Sequence, residues 1–366
     1  MTLYIISFAT NMLLGLSLCI KKNGYFNGNE LNVNFRKRGL YLFITALQLG
    51  LICGLRSSVM AYDTNAYKEL FDMAANSWEH LFDENSYVEI GFQVLCGLIK
   101  ICGGEYQTLL VITSLFTMGS CCLFIYRHSK DVVLSVFIII SFPFFYSSFD
   151  IIRHFLATSF LLLGYKHVVE RRPIRFLIYI AIGSLFHKIA WLFVPLYFVR
   201  KIKWSWILAF SSLAATMVLY IYIRPIGLWL SDFLDKSSGV DSGWIDSYGG
   251  GIKTALMYGV ILLLAIVAFY QIKGKTEDDM NALIHIMFMF LFSVLFINAR
   301  IMTRMIMTMS AFIAIAIPQL LDRRRTMQEG DCVVLRFGFV GIGFLYHVFM
   351  LSSNWQNVVP YIPFWR

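Results

Sequence analysis

Charge is scarce in this chain of 366 residues: Asp, Glu, Lys and Arg make up 14%, whereas 58% of residues are hydrophobic and the mean hydropathy is +0.67. So little charge excludes an ordinary soluble domain, a secreted disulfide scaffold and a nucleic-acid binder. The seven cysteines (Cys19, Cys53, Cys96, Cys102, Cys121, Cys122, Cys332) form no C-x-x-C pair and lie mostly in apolar runs, so neither a zinc site nor a disulfide framework follows. They read as small packing residues. No H-E-x-x-H, G-x-S-x-G or paired-histidine motif is present, and His167, His285 and His347 lack a partner at metal-ligand spacing. Gly274-Lys275-Thr276 mimics the end of a P-loop, but the earlier glycine that loop requires is Phe269. No cofactor, metal or nucleotide is expected. Low-complexity tracts and internal repeats are also missing.

What the chain does have is apolar runs of about 17–22 residues, each long enough to cross a bilayer as a helix. The net charge of +9 comes from 31 basic against 22 acidic side chains, and the basic ones cluster in short gaps between the runs. Lys21, Lys22 and Arg36–Arg38, then Arg127 and Lys130, Arg171, Arg172 and Arg175, Arg200, Lys201 and Lys203, Lys273 and Lys275, and Arg323–Arg325 mark gaps that face the cytoplasm by the positive-inside rule. The pattern predicts an all-α, polytopic membrane protein, a single domain over 1–366. About twelve spans are expected, near 3–20, 39–55, 105–126, 132–149, 151–170, 174–186, 188–199, 204–222, 253–272, 280–298, 300–321 and 332–351. Both termini then lie outside the cytoplasm, provided that Ile90–Cys102, which is short, carries Lys100 and ends in Gly103-Gly104, is a re-entrant or interfacial helix. The arms 174–186 and 188–199 are short for two full spans. Their tight hairpin at His187 and Lys188 is expected to turn below the outer surface and bury His187.

The long polar segments fall on the outer side, giving loops 56–104 and 223–252 as the active-site side. The first is acidic, with Asp63, Glu69, Asp72, Glu79, Asp83, Glu84 and Glu89 against Arg56 and Lys68. The second holds Asp232, Asp235, Asp241 and Asp246 beside Trp229, Trp244 and Tyr248, a composition that suits either a sugar-contacting flap or an interfacial aromatic belt.

Arg56, Arg153, Arg300 and Arg304, with His154 and His187, are the basic groups that topology does not explain. An arginine within a span costs roughly 2.5–3.5 kcal/mol on insertion scales and so normally faces a polar cavity with a partner. Arg300 and Arg304, four apart, are expected on one face of one helix, where they repel unless an anion lies between them. Guanidinium forks fit diphosphate oxygens bidentately, which points to a phosphate-bearing ligand; structural ion pairs with Asp63, Glu89 and Asp150 are the alternative. In Ala61–Phe71, Asp63 reads as the N-cap of a short amphipathic helix and Tyr67 as its interfacial residue, or both as site residues.

Taken in order, Gly54-Leu55-Arg56, Tyr62-Asp63 with Tyr67, Tyr87-Val88-Glu89-Ile90-Gly91-Phe92, Asp150-Ile151-Ile152-Arg153, Leu185-Phe186-His187, the asparagine-arginine cluster Asn298–Arg304 and Pro360-Tyr361 resemble the EpsG-like branch of the Wzy-type polysaccharide polymerases. His154 stands where that family often has glutamine, and Lys188 where it often has a small residue. The resemblance implies a metal-independent glycosyltransferase that joins undecaprenyl-diphosphate-linked oligosaccharide repeat units into O-antigen, capsule or exopolysaccharide on the outer face of the bacterial cytoplasmic (inner) membrane. Its implied partners are the lipid-linked donor and acceptor, the bilayer, and a chain-length regulator and flippase. On this reading His187, Asp63 and Glu89 are candidate bases, Arg153, Arg300, Arg304 and Arg56 bind diphosphate, and Tyr67, His154 and Asp150 contact substrate. The alternative is a transporter or flippase of polysaccharide or lipid-linked sugars, which calls for paired halves and polar residues continuing to the cytoplasmic side. Neither is seen in the sequence. A membrane acyltransferase ranks third.

Overall fold

The computed structural model describes residues 1–19, 35–78, 88–235, 251–322 and 329–366. Its elements are α1 (Thr2–Cys19), α2 (Phe35–Gly54), α3 (Thr64–Met73), α4 (Ile90–Ile101), α5 (Tyr106–His128), α6 (Val132–Ser141), α7 (Pro143–Ser147), α8 (Ile152–Val169), α9 (Pro173–Ser184), α10 (Leu196–Val199), α11 (Trp206–Asp235), α12 (Ile252–Gln271), α13 (Glu277–Asn298), α14 (Thr303–Leu320) and α15 (Glu329–Ser352). Short 3₁₀ turns occupy Lys188–Phe193, Arg300–Met302 and Trp355–Asn357. Among the described residues the extended structure amounts to one isolated bridge, Arg56 to Pro363.

Among the described residues seven helical stretches are long and apolar enough to cross a membrane: Thr2–Cys19, Tyr106–His128, Trp206–Ile223, Ile252–Gln271, Glu277–Asn298, Arg300–Leu320 and Cys332–Ser352. The chain is thus a multi-pass membrane protein. Large apolar side chains left uncovered agree with this, since on α11 Ile207 is 82% and Phe210 65% exposed, a surface that water would penalise and lipid solvates. The remaining expected spans differ in detail. The 132–149 span is broken between α6 and α7, where Pro143 lacks the N–H that would continue the ladder and starts a new helix. α9 has 12 residues, about 18 Å of helix, and its return arm is a 3₁₀ turn followed by α10, short against a hydrocarbon core of ~30 Å. α4 is as short as expected and packs with α3 over the N-terminal half of α5, in a layer built from Tyr67, Phe71, Phe92, Cys96, Tyr106 and Leu109. Six of the cysteines are packed in apolar surroundings, five of them buried; Cys102 is exposed.

The bundle has two chemically distinct ends. At one, Arg38 donates to the Ser129 carbonyl (2.8 Å), Arg336 pairs with Asp131, Arg171 with Glu277 (2.9 Å) and Arg200 with Asp278 (2.7 Å). At the other, the segment after α2 is laced to the C-terminal segment: Ser57 N–H donates to the Ile362 carbonyl (2.8 Å) and Phe364 N–H to that of Leu55 (3.0 Å). The tight seam between α2 and α5 fixes this second end. A Cβ on Gly50 or Gly54 would come within 2.8 Å of Leu115 or Val111, so only glycine allows the two backbones to approach so closely. At the centre is α14, whose spanning stretch is 83% buried because neighbours cover every face.

Candidate active site

Four helices point their N-termini at one place on the second end. Asp63 precedes α3, Glu89 precedes α4, Arg153 and His154 lie in the first turn of α8, and Arg304 in the first turn of α14. The hairpin after α9 brings His187 among them. Helix N-termini carry unpaired N–H groups and positive potential, so their convergence favours an anion.

Gly91 sets the register. Its N–H donates to the Leu185 carbonyl at 2.8 Å, and a Cβ there would lie 2.7 Å from the same oxygen, so the first turn of α4 sits directly on the hairpin tip. Glu89, two residues earlier, is thereby delivered to three partners. Arg153 Nη1 donates to Oε2 at 2.5 Å, Lys188 N–H donates to Oε1 at 3.2 Å, and His187 Nδ1 lies 3.3 Å from Oε1. On the far side of the imidazole, Arg304 Nη1 is 2.9 Å from His187 Nε2. A guanidinium only donates, so Nε2 is the acceptor and Nδ1 carries the proton towards Glu89. The result is a neutral imidazole with a lone pair at Nε2 and the Glu89 carboxylate within ion-pair distance of Nδ1, although Nδ1 makes no hydrogen bond of good geometry; the same group types make up acyl-transfer triads.

Burial by itself would raise the Glu89 carboxyl, but the neighbouring His187 and the Arg153 charge overcome it and hold the group at about 2. Glu89 is therefore a carboxylate at neutral pH. Its pKa lies below the ordinary 4.5 of the unfolded chain, so its stabilisation is complete above pH 4.5 and is lost as pH falls towards 2. Glu89→Gln is expected to remove about 3 kcal/mol of stability at neutral pH and to flatten the acid limb of the melting curve. Detergent-solubilised protein melted between pH 3 and 7 supplies the check.

Asp63 occupies the N-cap position of α3 but makes no side-chain cap hydrogen bond. Its backbone N–H instead donates to Asp150 Oδ1 at 2.7 Å. Burial raises the Asp63 carboxyl against the opposing pull of Arg304 and Arg153. Asp150, in the turn between α7 and α8, is pushed up to about 7 by burial and by the Asp63 carboxylate. Tyr67 is buried with its ring 5.8 Å from the Arg153 guanidinium. His154 is fully buried; its ring meets that of His187 edge-on at 6.0 Å, and its Nε2 lies 2.9 Å from Thr308 Oγ1, which in turn lies 3.1 Å from Thr158 Oγ1.

Two expectations need correction. Arg300 and Arg304 do not share one helical face, because α14 begins only at Thr303 and Arg300 belongs to the preceding 3₁₀ turn; Arg300 is exposed, whereas Arg304 is partly buried against His187. Arg56 stands apart from the other arginines. Fully buried, it donates to the Cys53 carbonyl at 2.5 Å and lies 5.6 Å from the Phe149 ring, walled in by the C-terminal segment through the bridge to Pro363. Of the acidic and aromatic residues singled out in the two outer loops, Glu79, Asp83, Glu84, Tyr87, Asp241, Trp244, Asp246 and Tyr248 lie outside the described residues. Thr158 and Thr308 escaped the reading of the sequence, and Gly91 entered it only as part of a motif, with no role of its own. Thr308 had a signal, since it follows Arg304 by one helical turn and so lies on the same face.

The EpsG family model matches residues 39–362, from α2 to the C-terminal segment, and so takes in every residue of this cluster. No curated protein and no solved structure matches the chain. A family model that spans nearly all of the polypeptide, with the motif residues Glu89, Arg153, His187 and Arg304 gathered at one buried point, means that the chain belongs to the EpsG family.

Proposed function

We propose that this protein, which its family places among polysaccharide-polymerase-type membrane glycosyltransferases, joins undecaprenyl-diphosphate-linked oligosaccharide repeat units on the outer face of the cytoplasmic membrane, with His187 as general base. The observation that carries this reading is the line Glu89–His187–Arg304, a carboxylate-oriented imidazole whose lone pair faces a guanidinium. An acceptor hydroxyl takes the place of Arg304 on Nε2. Its oxygen attacks the anomeric carbon of the donor, the bond from that carbon to the diphosphate oxygen breaks, the lipid diphosphate leaves with the electron pair, and Nε2 receives the hydroxyl proton. Arg304, released from the imidazole, turns to the phosphates together with Arg153 and the exposed Arg300, where charge develops. Asp63, Asp150, Tyr67 and His154 line the place where sugar hydroxyls need partners. Arg56, enclosed as it is, holds the C-terminal segment and takes no part in the step.

A transporter would use the same arginines but needs a polar route onwards. The polar seam between α8 and α14 runs from His154 through Thr308 to Thr158, and beyond it these helices bury Leu161, Leu162 and Phe312. That favours chemistry at one end of the bundle over passage through it. Protein reconstituted with lipid-linked repeat units alone is expected to yield polymer in EDTA without nucleotide, because the outer segments carry no D-x-D and the chain no phosphate-binding loop. Product that appears only after a divalent cation is restored, or repeat units moved across the vesicle without being joined, would overturn the reading.

A further inference from the structure

At the end of the bundle opposite His187, the C-terminal ends of α5, α8 and α14 and the first turns of α13 enclose a cavity of about 200 Å³. A single water needs only ~10–15 Å³. Arg127, Lys130 and Arg200 line it against one carboxylate, Asp278, which Arg200 binds at 2.7 Å. Three helix C-termini attract cations by themselves, which accounts for the basic rim. It does not account for the acceptors inside. His285, 3% exposed, has Nδ1 2.7 Å from the Asn281 carbonyl; a carbonyl only accepts, so Nδ1 bears the hydrogen and Nε2 is left an acceptor. That Nε2 has no hydrogen-bond partner among the described residues. Nor has Oδ1 of Asn281, equally buried, whose Nδ2 donates to the Glu277 carbonyl at 2.8 Å. Buried polar atoms are normally paired, so two such acceptors on residues that line one cavity call for donors.

A ligand that satisfies both layers carries hydroxyl donors at one end and negative charge at the other. We propose that this cavity binds a hydroxylated phosphate ester of the glycerol phosphate type, with its phosphate on Arg127, Lys130 and Arg200 and its hydroxyls donating to Asn281 Oδ1 and His285 Nε2. The source is either a phosphatidylglycerol headgroup from the leaflet at the basic end or free glycerol phosphate; basic pockets between membrane helices take anionic headgroups for the same reason. The site lies a bundle length from His187 and is independent of the reaction proposed there.

Native mass spectrometry of the purified full chain, titrated separately with phosphatidylglycerol, phosphatidic acid and glycerol 3-phosphate, decides the matter. Phosphatidic acid keeps the phosphate but lacks the headgroup hydroxyls. Phosphatidylglycerol is expected to bind more tightly by about fivefold for each hydroxyl hydrogen bond gained. His285→Leu should erase much of that preference while phosphatidic acid binding persists. Replacing the exposed pair, Arg127→Gln with Lys130→Gln, should weaken both lipids, and remains informative if the buried variant does not accumulate. Binding of glycerol 3-phosphate with no lipid bound would assign the soluble source. Equal affinity for the two lipids, or binding indifferent to Arg127 and Lys130, would overturn the proposal.

Discussion

Replacing His187 by glutamine is expected to lower polymer formation by about a hundredfold to ten-thousandfold, the usual worth of a general base, with the protein level unchanged. Glutamine fills nearly the same buried space and offers an oxygen to Arg304, so the contacts that hold the hairpin survive. What is lost is a basic nitrogen facing the acceptor. Polymer length and initial rate with purified lipid-linked units measure the effect, and Glu89→Gln should give a smaller loss, because it removes the orienting carboxylate but not the base. If the glutamine variant still makes full-length polymer at the wild-type rate, the base is not His187. Asp63, whose carboxyl burial raises, would then be the group to replace.

The second large effect concerns Arg153. Lysine keeps the positive charge that Glu89 needs but loses the planar fork, so Arg153→Lys should leave the fold intact and cost about a hundredfold or more in rate, as loss of one donor to a developing anion does. Arg300→Lys should act in the same direction on the proposed diphosphate role, since Arg300 is exposed beside the first turn of α14. Arg171→Lys is the control: its pair with Glu277 is on the surface, with the arginine side chain 72% exposed, and such pairs contribute little. Should Arg153→Lys keep full activity, or lose it only because the protein no longer accumulates, the guanidinium serves the Glu89 ion pair alone and the diphosphate role is wrong.

The amino-acid sequence by itself determined the class of molecule and the cast of residues. Lipid solvates apolar side chains but cannot satisfy backbone groups, so a membrane chain must declare its helices as long apolar runs punctuated by charge, and seven of the expected runs coincide with helices long enough to span among the described residues. For the same reason Arg153, His187 and Arg304 stand out, because a charged or polar group there has no cheap explanation. Partnership was decided by the tertiary structure. Glu89 meets Arg153 across 64 positions, and His187 meets Arg304 across 117. Helical periodicity says which face a side chain occupies, never which distant face it will meet. The close seat of Gly91 on Leu185, the 3₁₀ turn that separates Arg300 from Arg304, and the C-terminal segment that encloses Arg56 all follow from packing between remote elements. That packing set the three candidates in different surroundings, His187 and Glu89 against each other and Asp63 beside Asp150, since only proximity and burial set the charge each group carries.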